Sequence, residues 1–330
     1  MGETKKNSKA TSILKNNPLT SIVKGNIGII VVLIIMCVAV ALATDKFLTT
    51  NNIISVLRQI SINTYIALGM TLIIILGHID LSVGSIVAMS GTLTVGFIVN
   101  QGLPLGVAIV AGLLVGTAAG FISGFIVANF KVPAFIITMA MMNIASGIAY
   151  VYTGGQSTRI TNKLFIEIGT GYLFNVIPLP VVYMVVLIIL FSFILSKTKF
   201  GTYVYAIGGN REAARLSGVP IKKIEIIVFT ISGLLSAFAG LVLCSRMYSG
   251  QPSVGSGYEL DAIAACVVGG VSFTGGIGKI SGVVTGVFIF TALTYSLTIL
   301  GIDTNLQFVF SGIIILVAVT LDCLKYVQKK

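Results

Sequence analysis

The stretch "GLLVGTAAGFISGFI", Gly112–Ile126, contains no charge and repeats glycine at every fourth position: Gly112, Gly116, Gly120 and Gly124. A four-residue step keeps positions on one face of an α-helix, and a face without side chains lets a second backbone come close. In water the remaining Leu, Val, Ile and Phe would have nothing to cover them. In lipid they are already solvated, and the glycine face is what holds a neighbouring helix. The stretch reads as a packing ridge on a bilayer helix.

Working outward, the same chemistry fills the chain. Hydrophobic residues make up 56% of the 330, charged residues only 9%, and the mean hydropathy is +1.04. That balance leaves a soluble domain of this length without a polar surface. Charge-free runs cover 27–44, 81–130, 132–158, 168–196, 226–245, 280–302 and 304–321, most of them reaching the ~18–20 residues that a crossing needs. None alternates with period two, so barrel strands are excluded and helices remain, because backbone groups in hydrocarbon must be satisfied within the segment. The run at 27–44 follows five lysines and ends "ALA" at 41–43 like a secretory leader. It outruns the about 7–15 apolar residues of a leader, so it reads as a span. Cys37, Cys244, Cys266 and Cys323 have no metal or redox spacing, and a single histidine excludes a multi-histidine site. No metal and no cofactor is expected.

The expected fold is an all-α polytopic membrane protein with about ten transmembrane helices, at 27–44, 59–77, 83–100, 104–128, 133–152, 179–196, 224–245, 259–273, 280–300 and 305–324. One membrane domain, 27–324, lies between cytoplasmic tails at 1–26 and 325–330 and includes a cytoplasmic connection at 197–223. With both termini inside, only Lys46, Arg58, Arg159, Lys163 and Arg246 of the 21 basic residues face outside, as the positive-inside rule favours. The net charge of +11 then reflects an anionic inner leaflet, and no nucleic acid is needed to explain it. The outer connection at 153–178 has enough Phe, Leu and Ile to rest on the membrane surface.

Three polar islands interrupt the apolar runs. In "GHIDLSVGS", Gly77–Ser85, a carboxylate at mid-membrane would cost about 2.5–3.5 kcal/mol on a lone helix. Gly77 and Gly84 permit a helix break, Ser82 and Ser85 can take up freed backbone donors, and "DLSVGS" has the form of an N-cap. Asp80 is then an anchor for the break or a contact for a polar solute, and His78 a hydrogen-bonding neighbour or a proton switch. "SGQPSVGSGYELDAI", Ser249–Ile263, sets Glu259 and Asp261 at a helix start, where acids complement the dipole. "SVGS" recurs at 82–85 and 253–256, on opposite membrane sides in this topology. An inverted repeat of spans 2–5 and 7–10 would leave such a trace.

The third island, "GGNREAARLSGVPIKK", Gly208–Lys223, offers Asn210 as a cap, a short helix over Glu212–Leu216, and Gly218 and Pro220 as stops. Ala213, Ala214 and Leu216 exposed on a helix outside the bilayer suit a groove on a partner protein, with a solvated connector as the alternative. Catalytic signatures are missing. "FTGGIGKIS", 273–281, lacks the first glycine and the Ser/Thr of a phosphate loop, and neither GxSxG nor HExxH is present.

"GHIDLSVGS", "GTYVYAIGGNREAARLSGV" and "YELDAIAACVVGGVSFTGGIGKISGVVTG" together resemble the signature segments of monosaccharide permeases of bacterial ABC importers, the ribose, xylose and galactoside group. The likeness runs over most of the chain beyond about residue 50. Tyr258–Tyr326 is most similar to the galactose/methyl-galactoside branch and Gly77–Ser85 to the ribose branch, with His78 where the family usually has glycine. The resemblance implies a bacterial inner-membrane homodimer, an ABC ATPase subunit on the cytoplasmic face, and an extracytoplasmic sugar-binding protein. It also implies that Asn210, Glu212, Ala213, Ala214, Arg215, Leu216, Ser217 and Gly218 form the helix seated in the ATPase. A neutral sugar needs hydrogen-bonding groups along its path. The candidates are Asp80, Ser82, Ser85, Asn63, Thr64, Asn143, Ser146, Ser253 and Ser256. An ion-coupled secondary transporter of a small polar solute is the competing reading, which Asp80 and the repeat also suit.

Overall fold

The structure, a computed structural model, describes residues 49–327. The tail 1–26, the expected span 27–44 and the last residues of the tail 325–330 lie outside the described residues. The helices are α1 (Thr50–Ile75), α2 (Val83–Val99), α3 (Leu105–Phe130), α4 (Ala134–Thr153), α5 (Lys163–Thr170), α6 (Leu179–Lys197), α7 (Lys199–Gly209), α8 (Arg211–Leu216), α9 (Ile221–Met247), α10 (Tyr258–Val268), α11 (Ile280–Ile299) and α12 (Thr304–Val327). Among the described residues α1, α3, α4, α6, α9 and α11 are long and apolar enough to cross a membrane, and α2 and Asn305–Ile314 are shorter apolar helices. The chain is a helical polytopic membrane protein.

Strands are minor. β1 (Thr158–Arg159) pairs antiparallel with β4 (Ser249–Gly250), matching Thr158 with Gly250, and β2 (Tyr172–Leu173) pairs with β3 (Ile177–Pro178). The connection 153–178 is therefore built, not loose: it holds α5 and three strands, and β1 grips the segment that follows α9.

α1 occupies the centre, with 89% of its apolar window buried against 22% for α6. α9 lies beside it and receives the glycine ridge of α3. A Cβ on Gly120 would strike the Phe229 carbonyl, one on Gly116 would come within 2.6 Å of Ala237, and one on Gly124 within 2.7 Å of Phe229. Gly112 faces Thr94 of α2. The ridge thus sets how closely α3 approaches α9 and α2.

Three expectations need correction. α1 begins at Thr50 and not at 59, because the polar residues that end the apolar run are satisfied by other elements. Arg58 Nη2 donates to the Thr170 carbonyl at 2.7 Å, and Arg246 Nη1 donates to Gln59 Oε1 at 3.1 Å. The eighth expected span, 259–273, is a half-helix: α10 has 11 residues, about 16 Å at 1.5 Å per residue. The two "SVGS" segments do not lie on opposite sides. Gly84 packs against the Gly255 carbonyl and the Glu259 carboxylate.

The meeting follows from two re-entrant turns. α1 runs out at Ile75, the chain reverses at left-handed Gly77 (φ +82), and Asp80 reaches Ser232, near the middle of α9. α2 starts there and continues beside α9, so close that a Cβ on Gly91 would come within 2.5 Å of Cys244 Sγ. From the opposite end, α9 stops at left-handed Tyr248 (φ +56) and the chain folds back to Gly255. α10 then runs beside α1, its Cys266 Sγ 3.5 Å from the Ala67 carbonyl.

Candidate functional site: a cavity between two helix breaks

Where the two re-entrant segments meet α4, the structure holds a cavity of ≈ 350 Å³. Its polar wall is Ser85 of α2, Asn143, Ser146 and Tyr150 of α4, Ser253 and Ser256 of the second break, and Glu259 of α10. Gly84, Ala88, Met142, Pro252 and Val254 complete it. The volume lies near the lower end of the ~300–1,000 Å³ usual for small-molecule sites. Hydroxyls, an amide and one carboxylate around a small apolar floor can hydrogen-bond a neutral polyol from several sides, with no cationic group in the lining.

Local sequence explains the placement. At both breaks small residues let backbones touch, and Gly84 is the point of contact. The N-caps of α2 and α10, Ser82 and Gly257, make no side-chain capping bond, and both helices start at this wall. Asn143 and Ser146 are three apart on α4 and so share a face.

The other expected residues sit elsewhere. Asp80 is 1% exposed and lies behind the wall. Its Oδ1 accepts from Ser82 N (2.9 Å) and Ser82 Oγ (2.6 Å), and its Oδ2 accepts from Ser232 Oγ (3.1 Å). Ser82 therefore directs its hydroxyl to Asp80 and does not cap α2, contrary to the N-cap expectation. Asn63 Nδ2 donates to Thr291 Oγ1 of α11 at 2.9 Å, and Thr64 Oγ1 donates to the Ile60 carbonyl of its own helix at 2.7 Å. Neither lines the cavity.

At the bundle end where α1 stops lies α8, the expected docking helix. Asn210 Oδ1 accepts from Ala213 N at 2.9 Å, and Glu212 and Arg215 pair on the exposed face at 2.8 Å. Leu216 is 80% exposed. Ala214, expected to be exposed, is buried at 4%, because it is the face of α8 turned to the bundle. Ala213, Ser217 and Gly218 are exposed.

One residue escaped the sequence reading. Glu225, fully buried near the start of α9, accepts two guanidinium nitrogens of Arg211, and His78 Nε2 lies 3.1 Å from its Oε1. The carboxylate holds the Arg211 guanidinium above its ordinary pKa through that hydrogen bond. The signal was a lone acid, just after Lys222 and Lys223, at the edge of a long apolar run.

Residues 52–319 match the family described as branched-chain amino acid transport system / permease component. The chain is 44% identical over 296 residues to the ribose import permease protein RbsC of Haemophilus influenzae, covering 88% of this chain and 91% of that protein. It is 41% identical over 302 residues to the L-arabinose transport system permease protein AraH of Escherichia coli, covering 92% and 91%. To the L-arabinose ABC transporter permease protein AraH of Azospirillum brasilense it is 38% identical over 304 residues, covering 92% and 89%. No solved structure matches. A bundle of apolar helices with a polar cavity between two broken ones is what a permease requires, and with its family matched from residue 52 to residue 319 the chain belongs to the transport-system permease components.

Proposed function

We propose that this chain is the membrane subunit of a bacterial ABC importer that passes a pentose through the cavity at the two helix breaks. Hydrolysis of ATP belongs to a separate subunit docked on α8, and an extracytoplasmic binding protein delivers the sugar to the α5 end. The observation that carries the reading is the cavity wall: Ser85, Asn143, Ser146, Ser253, Ser256 and Glu259 converge from three helices and the second break. The relatives named above are called ribose and arabinose permeases, which favours a pentose over the galactoside that Tyr258–Tyr326 suggested. The family description names branched-chain amino acids. A wall without a cationic side chain for an α-carboxylate speaks against them.

The same proposal includes ten crossings, both termini in the cytoplasm, an inverted repeat and a homodimer. The repeat is supported by one register. Moving 171 residues along the chain, from Ser82 to Ser253, carries α1 onto α9, α2 onto α10, α3 onto α11 and α4 onto α12. It also carries Gly77 onto Tyr248, the two left-handed residues that open the breaks. Packing pairs follow the same exchange, since α2 lies on α9 as α10 lies on α1.

The test is uptake by proteoliposomes holding the permease, its ATPase and its binding protein. ATP-dependent accumulation of radiolabelled ribose or arabinose, unaffected by excess leucine and by collapse of ion gradients, is the expected result. Accumulation that persists without the ATPase and stops with the ion gradient would establish the secondary-transporter alternative.

A further inference from the structure

Three segments far apart in sequence converge on one carboxylate. Glu225 is fully buried, Arg211 is the first residue of α8, and His78 follows the left-handed Gly77 that opens the first break. Arg211 approaches in fork geometry, with Nη1 on Oε1 and Nη2 at 3.2 Å from Oε2, while His78 Nε2 shares Oε1 at 3.1 Å. A forked arginine fixes direction as well as distance, and a buried carboxylate resists losing either partner because the charge would be stranded. From His78 the chain runs through Asp80, pinned to Ser232, into Gly84 and Ser85 of the cavity wall. On one side of this cluster a second cavity of ≈ 520 Å³, bounded by Gly77, Lys131, Pro133 and Arg211, leaves the fork room to move.

We propose that Arg211, Glu225 and His78 are a clamp through which α8 positions the α1–α2 break. A displacement of α8 is then delivered to the solute cavity along the short stretch of chain from His78 through Asp80 to Ser85. The three are positioning residues and touch neither solute nor nucleotide. The inference rests on the reading of α8 as the ATPase contact.

The test combines two measurements on the full-length permease. Hydrogen exchange of the purified protein reports on the break itself, and proteoliposomes containing the ATPase and binding protein report radiolabelled ribose or arabinose taken up per ATP hydrolysed. In Arg211→Gln/Glu225→Gln no buried charge is stranded. Exchange at 76–82 should rise at least tenfold, exchange at 249–257 should stay unchanged, and uptake per ATP should fall at least tenfold. Arg211→Lys keeps the charge without the fork and should fall in between, and it carries the same readouts should the double variant not fold. Unchanged exchange at 76–82 overturns the clamp. Faster exchange with uptake per ATP within twofold of wild type overturns its part in coupling. Wild-type vesicles that accumulate neither pentose would refute the pentose reading, while the exchange measurement still decides the clamp.

Discussion

Asp80 is buried, and two serines solvate its carboxylate. Ser82 supplies two donors and Ser232 a third. Asp80→Ala removes the acceptor and strands those hydroxyls in a dry site, a loss of about 3 kcal/mol. The thermal unfolding midpoint in detergent should drop accordingly. Glu167→Ala, on an exposed turn of α5, should shift stability by less than about 0.5 kcal/mol. Similar small shifts for both would mean that the break does not depend on Asp80. Glu259 differs because its carboxylate lines the cavity. A charged hydrogen bond to a sugar hydroxyl contributes about 1.5–3 kcal/mol, so Glu259→Gln should raise the KM for uptake roughly tenfold with little change in maximal rate. At this scale the sequence was partly readable. Of the candidates, Ser85, Asn143, Ser146, Ser253 and Ser256 line the cavity, whereas Asp80, Ser82, Asn63 and Thr64 do not. That Asp80 turns to Ser82 and Ser232 and not to the cavity, or that His78 meets Glu225 across 147 residues, depends on tertiary packing that no local pattern encodes.

Most of the helices long and apolar enough to cross a membrane announced themselves by charge-free length, and the misreadings fell on α10 and on the start of α1. The apolar run continues past Val268, so hydropathy extended α10 over residues that are really a turn at Gly269 and Gly270. The start of α1 was hidden for the opposite reason, since Arg58 and Gln59 look like an end until their partners are seen. The glycine ridge of α3 gives a sharp test. Gly120→Val would drive a side chain into the backbone of Phe229 and Gly233, whereas a Cβ on Gly147 meets nothing within 4 Å. Overpacking of this kind costs about 1–3 kcal/mol or more, so Gly120→Val should lower the unfolding midpoint and the yield of monodisperse protein, and Gly147→Ala should leave both unchanged. On α8, Ala213 is exposed and Ala214 buried. Ala213→Arg should therefore abolish copurification of the ATPase while the permease still folds. Full copurification would remove α8 from the docking surface.

For the whole molecule, "SVGS" was legible as a segment that occurs twice, but the contact between its two copies was not. The two broken segments bring their helix starts together, as Gly84 packs against the Gly255 carbonyl, and a span-counting topology assigns each break to one side only. The cavity is a product of that meeting and could not be inferred from either half. Ser256 is exposed, so Ser256→Phe fills space without disturbing the core. Uptake should fall at least tenfold with the unfolding midpoint unchanged.

α1 combines the lowest mean hydropathy among the long apolar helices, 1.3 against 2.7 for α6, with the greatest enclosure, 89% of its window. Lipid rewards greasiness and α1 has little, so its residence in the bilayer leans on protein neighbours. During biogenesis its stable integration must await α6, α9 and α11, all made later on the ribosome, and its tilt is set by them and not by bilayer thickness. The axle of the transporter is thus the part that the membrane recognises least.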